Sequence, residues 1–162
     1  MNNTDIELLD CGVAQTLNQI GERWTLLILR DAFHGIKRFD DFQNQLKISP
    51  TVLSARLQSL TRNGILEKRK SRADGRAFEY VLTTKGLDLY PVLLSLMAWG
   101  EKYIPNGQGP RMQLLDKKTL RPIRAVHVLA EDGRELGAKD VIVRPTAGSD
   151  DKTLALINYR QK

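Results

Sequence analysis

With one cysteine in 162 residues, Cys11, the chain cannot close an internal disulfide framework. Its two histidines, His34 and His127, leave no ligand cluster for a structural zinc, so no metal is expected. No apolar run approaches the roughly 18 residues of a membrane span. The opening MNNTDIELLD carries acids where a secretory signal has a basic and then an apolar region. The expected compartment is the cytoplasm, with no membrane partner. The patterns of turnover are missing as well: there is no phosphate-cradling glycine loop, no nucleophile near a positioned histidine and no evident carboxylate pair. Neither an enzyme nor a cofactor is expected.

What is present is an ordinary soluble composition, 41% hydrophobic and 27% charged, in a length that suits one compact domain with an appendage. The net charge of +6 is unevenly placed. Nine basic residues face three acidic ones between Lys47 and Lys85, whereas the rest of the chain is balanced at 16 against 16. A basic stripe confined to one segment is the electrostatic footprint of a polyanion partner, although a charge run alone is more often a solvated face.

Val13, Leu17 and Ile20 recur at helical spacing and predict an amphipathic helix from about Gly12 to Gly21. The run from Arg23 to Arg30 is apolar nearly all round and predicts a helix at the centre of the core. Phe39, Phe42 and Leu46 mark a third helix, with Asp40 and Asp41 at its favourable end. The fourth has the clearest start: Ser49 caps it, Pro50 suits its first position, and Ile48 and Leu53 form a hydrophobic staple. Asn63-Gly64 ends it. Leu53, Leu57 and Leu60 share its inner face, while Thr51, Ser54, Ala55, Gln58 and Arg62 project outward.

The period then changes to that of a strand. Phe78, Tyr80 and Leu82 alternate, Ile65 to Lys70 supplies a partner, and Asp74-Gly75 is a hairpin-turn signal, so the hairpin tip is basic. Thr83 caps a long last helix bearing Leu87, Leu89, Leu93, Leu96, Met97 and Trp99, which Pro91 should kink. That much apolar surface calls for a partner subunit. Asn106 to Pro110 reads as a linker. Beyond it, Ile123 to Ala130 and Val141 to Val143 read as strands, Glu131 to Gly133 as a turn, and Thr153 to Tyr159 as a strand or short helix.

Three helices, a tight turn, a fourth helix and a basic hairpin are the order of a winged helix-turn-helix. A helix entering the major groove needs short side chains that can hydrogen-bond to base edges. Thr51, Ser54 and Gln58 meet that description. Phosphates need cations and donors beside the groove, which Lys37, Arg38, Ser49, Arg62, Arg72 and Arg76 supply. Arg56 lies at the edge of the apolar face, so anchoring to a neighbouring acid is preferred there, with some phosphate contact. Of Lys68, Arg69 and Lys70, only part can face DNA, because they alternate across a strand.

The chain also resembles the HxlR family of regulators. The resemblance rests on Cys11-Gly12-Val13-Ala14, Ile20 to Arg30, Arg38-Phe39, Ile48 to Leu57, Glu79-Tyr80, Leu82-Thr83 and Trp99-Gly100, and it covers residues 11 to 109. It implies a bacterial repressor or activator, with repressor preferred. It further implies a homodimer joined through its terminal helices, with Val13, Leu17, Leu93, Leu96 and Trp99 at the interface. The partner is double-stranded DNA, with the Ser49 to Asn63 helix in the major groove and the hairpin wing on flanking phosphates. In several relatives a cysteine at the position of Cys11 senses oxidants or electrophiles, and a helix N-terminus favours an anionic sulfur there. The alternative for Cys11 is a small packed residue at the dimer interface. Some relatives carry a cysteine-containing tail, but the stretch from Leu114 to Arg144 has no cysteine, so no metal role carries over.

The expected organisation is therefore α+β: an N-terminal tail over residues 1–10, a winged helix-turn-helix domain with a long dimerisation helix over 11–109, and a small β-containing extension over 110–162. Two alternatives stand beside DNA regulation through the thiol. One is a winged-helix module that binds a protein, and the other is a regulator answering to an unknown small-molecule effector. An RNA-binding module is disfavoured, since Trp24 and Trp99 lie within apolar helices and offer no stacking platform.

Overall fold

The computed structural model describes residues 11–71, 75–124 and 126–159. The expectations placed on Arg72, on Asp74 of the hairpin turn and on the 1–10 tail lie outside the described residues. The chain forms two compact units: one runs to Leu87 and includes the segment from Ile142, and the other is Asp88–Val141.

In the first unit α1 spans Gly12–Ile20, α2 Arg23–Phe33, α3 Phe39–Leu46 and α4 Pro50–Arg62. These are the four helices that the apolar spacing predicts. Cys11 is the N-cap of α1, its Sγ accepting the Ala14 N–H at 3.4 Å. α2 supplies Ile28 and Leu29, α3 Phe42, and α4 Leu53, Leu57 and Leu60, all fully buried. Each such side chain stabilises the fold by roughly 1.5–3 kcal/mol through removal from water. α4 packs on α1, α2, α3 and β1, so its inner face is covered from several sides.

The ends of α4 follow the local rules. Ser49 Oγ accepts the Val52 N–H at 3.4 Å, and Pro50 occupies the first turn. At the other end Gly64 adopts a φ of 67°, which lets Ile65 N–H reach back to the Leu60 carbonyl at 2.9 Å. Lys85 Nζ donates to the Asn63 carbonyl at 2.9 Å, closing the same terminus. Between α3 and α4 the chain reverses in three residues, with Lys47 in the left-handed region at φ 51°.

β1 (Leu66–Lys70) and β2 (Phe78–Leu82) form an antiparallel hairpin in which Leu66 faces Leu82 and Lys68 faces Tyr80. β2 also receives the loop before α3, through Tyr80 N–H donating to the Lys37 carbonyl at 2.8 Å. Thr83 Oγ1 accepts from Gly86 N–H at 3.1 Å and starts α5 (Thr84–Leu87). Gly86 is buried against the Ile65 carbonyl oxygen, where a Cβ would collide.

Two expectations are corrected here. The last helix is not one kinked rod: it breaks after Leu87, and α6 (Tyr90–Tyr103) begins anew with Pro91 in its first turn. Proline cannot donate to the Leu87 carbonyl and its ring clashes with it, so a new N-terminus accommodates it better than a bend. Among the described residues no strand forms at 123–130 or 141–143. The extension there shows isolated antiparallel bridges, Leu115 with Pro122 and Leu129 with Glu135. Ile123, Val126, Val128, Leu129 and Val141–Val143 are all exposed, so no apolar layer rewards a longer ladder.

The turn at Glu131–Gly133 is present, with Gly133 at φ 84°. The segment left open between strand and helix is a helix, α7 (Asp151–Tyr159), capped by Asp150 Oδ1 accepting Thr153 N–H at 2.8 Å.

Candidate nucleic-acid interface

The outer face of α4 carries Thr51, Ser54, Ala55, Gln58 and Arg62, all exposed, while Leu53, Leu57 and Leu60 on the opposite side are 0% exposed. The apolar anchoring fixes which way the polar side points. A 13-residue helix is about 20 Å long, enough to lie across a major groove with its first turns at the base edges.

Beside α4, the wing completes a recess of about 570 Å³ lined by Ser54, Gln58, Thr61, Arg62, Lys68 and Tyr80. A second recess of about 350 Å³ joins Arg38 and Asp40 of the α3 start to Lys68, Phe78 and Tyr80. Lys68 lines both. Its ammonium sits 4.6 Å from the Phe78 ring centroid and 5.7 Å from that of Tyr80, so the two aromatic faces position the cation. Lys68 and Tyr80 are functional candidates that sequence reasoning did not select. The hairpin register sets Lys68 opposite Tyr80, and the packing of α4 on β1 decides that this pair faces α4.

The neighbouring cation behaves differently. Arg69 Nη2 lies 3.8 Å from Glu79 Oε2, and its Nε is buried. Glu79 is held in addition by Ser71 Oγ, which donates at 2.8 Å. Arg69 is thus tied into the wing, as alternation along a strand requires.

The other selected cations divide in the same way. Lys37, Arg38 and Arg76 are exposed, Arg38 as the N-cap of α3 and Arg76 just past Gly75 at the hairpin. Ser49 is exposed and its hydroxyl caps α4. Arg56 is only half exposed and its Nη2 lies 3.9 Å from Glu22 Oε2, the anchoring arrangement. Cys11 is exposed. Val13 and Leu17 on α1 are exposed, as are Leu96 and Trp99 on α6, with Leu93 half-buried.

No helix among the described residues is long and apolar enough to cross a membrane. A basic wing, a tight turn and an exposed, hydrogen-bonding helix anchored by buried leucines define a winged-helix DNA-binding regulator. The family model described as HxlR-like helix-turn-helix matches residues 19–108, and the chain belongs to that family. Rv3095 of Mycobacterium tuberculosis, an HTH-type transcriptional regulator, is 35% identical over 136 residues, covering 84% of this chain and 86% of that one. Among solved structures, PA1607, assigned as a transcription factor, superposes with a TM-score of 0.81 at 34% identity, covering 88% of this chain and 99% of that chain. The redox regulator HypR in its oxidized form superposes with a TM-score of 0.52 at 31% identity, covering 57% of this chain and 96% of its own. The protein is a DNA-binding transcription regulator.

Proposed function

We propose that the protein acts as a homodimeric repressor on a pseudo-palindromic operator, placing two copies of α4 in successive major grooves about 34 Å apart. One observation carries this reading: the exposed face of α4 presents only hydrogen-bonding and small side chains, and it opens onto a recess whose cations are Arg62 and Lys68. Thr51, Ser54 and Gln58 read base edges. Lys37, Arg38, Ser49, Arg62, Lys68, Arg72 and Arg76 hold phosphates, and Arg56 chiefly anchors α4 through Glu22. The residue 11–109 segment is the DNA-binding module and 110–162 its extension. The exposed Val13 and Leu17 of α1, and Leu93, Leu96 and Trp99 of α6, meet the partner subunit. Regulation proceeds in the cytoplasm by occupancy of DNA, without catalytic turnover.

Cys11 is the thiol through which the repressor is released. Its sulfur is exposed and accepts the Ala14 N–H at the start of α1, so it is open to reagents in solution. An electrophile adds to this sulfur, or an oxidant links it to a second thiol. The redox regulator HypR supports the reading by likeness.

The test is binding of the purified protein to its own upstream DNA across a salt series, reduced and then treated with a mild electrophile. Salt-sensitive, sequence-preferring binding that collapses on treatment, and survives treatment in Cys11→Ser, is the expected result. Binding indifferent to the electrophile removes the thiol switch. No binding in any condition favours the protein-interaction module.

A further inference from the structure

The Asp88–Val141 unit contains a cavity of about 500 Å³ that the DNA-binding role does not use. Three of its lining residues, Leu94, Met97 and Ala98, come from α6, and the others from residues 110–126. Among the described lining residues the polar ones are Gln113 and Arg124, and none is an acid. It is an open groove, since its lining residues other than Leu94, Met97 and Leu114 are exposed, but its volume and its apolar lining with few polar groups fall within the range of small-molecule sites.

The charge pattern selects the ligand. Arg111 and Arg134 of the same unit are neutralised by Glu101 at 3.2 Å and Asp132 at 2.8 Å. Arg121 and Arg124 pair with no acid among the described residues, and of the two Arg124 lines the groove, where its guanidinium fork is suited to bidentate carboxylate binding. Methionine at Met97 and Met112 lets the apolar wall adapt to a flat ring system. We propose that this cavity binds a small aromatic carboxylate, with its ring against Met97 and Ala98 and its carboxylate on Arg124.

The position of the cavity gives such a ligand something to regulate. At 100° per residue, Leu94, Met97 and Ala98 share one side of α6, while Val92, Leu96, Trp99 and Tyr103 lie on the opposite side and are exposed. That opposite side is the proposed dimer face, so the ligand and the partner subunit would seat the same helix. The coupling rests on the dimer reading; the cavity itself does not.

The experiment titrates the full-length protein with 2-naphthoate and with its neutral analogue 2-naphthylmethanol, by calorimetry. Saturable binding of one 2-naphthoate per chain is expected, roughly tenfold or more tighter than the neutral analogue. In Arg124→Gln the preference for the anion disappears, and in Ala98→Trp both compounds lose binding because the indole fills the space. Arg124 is exposed, so Arg124→Gln folds normally and keeps the test decisive if Ala98→Trp does not. Absence of saturable binding, or an anion preference that persists in Arg124→Gln, overturns the proposal. Binding that vanishes as protein concentration rises also overturns it, showing that a second copy occupies the cavity. Operator binding, measured on the same variants, is unaffected by Arg124→Gln, which separates this outcome from failure of the DNA-binding assignment.

Discussion

Lys68→Gln and Arg69→Gln remove the same charge from adjacent residues of β1, and only the first should change how DNA binding responds to salt. Lys68 is exposed in the recess next to Gln58 and Arg62, whereas Arg69 is committed to Glu79 with its Nε buried. Each phosphate that a protein neutralises contributes about 0.9 to the slope of log affinity against log salt. The proposed dimer would lose two such contacts in Lys68→Gln, so the slope should fall by about 1.8. Over an about fourfold rise in salt, from about 50 to about 200 mM, the advantage of the wild type over the variant therefore shrinks roughly tenfold. Anisotropy of a labelled operator duplex across that range measures it. Arg69→Gln should keep the wild-type slope, since its charge is already balanced within the wing. Equal slope changes in both variants would mean that bulk charge, and not the placement of Lys68, governs binding. An unchanged slope in Lys68→Gln would remove the recess from the phosphate path.

Leu57→Ala removes a fully buried side chain from the inner face of α4, and should lower stability by about 2–5 kcal/mol in urea unfolding. A loss below about 1 kcal/mol would contradict the core assignment. Asp150 caps α7, and hydrogen bonds from the Thr153 side chain and then its backbone N–H hold its carboxyl below the ordinary carboxylate value of 3.8. A carboxyl lowered in the folded state contributes stability that is present above the unfolded value and lost as pH falls through the lower folded value. Protection of the first-turn amides of α7, taken as exchange relative to the intrinsic rate at each pH, should therefore fall only on acidification below the ordinary carboxylate range. In Asp150→Ala that protection should be low throughout.

The first unit was legible in the sequence because its signals are local and agree with one another. Ser49-Pro50, the leucines at 53, 57 and 60, and Gly64 each specify one feature of α4, and the observed caps and burial use all of them. The hairpin was legible from the alternation of Phe78, Tyr80 and Leu82 together with the Asp74-Gly75 turn signal. The face of Lys68 was not, because alternation says that Lys68 and Arg69 point apart without saying which side α4 occupies. Only the packing of α4 on β1 decides that.

Pro91 was visible as an interruption, but kink and restart differ by whether the chain can rebuild a helix N-terminus within three residues, which here it does from Leu89. In the extension, the β-branched run from Ile123 to Val128 favours extended backbone, but strand formation also needs a neighbour and a face to bury. Neither is encoded within the run. The 110–126 cavity was not legible at all, since its wall combines α6 with residues separated from it by the Asn106 to Pro110 linker.

The central claim is that the exposed face of α4 reads sequence while the wing and its neighbours supply affinity. Its most direct measurement is the ratio of affinities for the operator and for a scrambled duplex of equal length, at one fixed salt concentration, in the wild type and in Gln58→Ala. The expected result is a fall in that ratio of roughly tenfold or more, from loss of about 1–3 kcal/mol of base discrimination per site, with affinity for the scrambled duplex unchanged. A ratio that stays at the wild-type value, or an equal loss on both duplexes, would contradict the assignment of α4 as the reading helix.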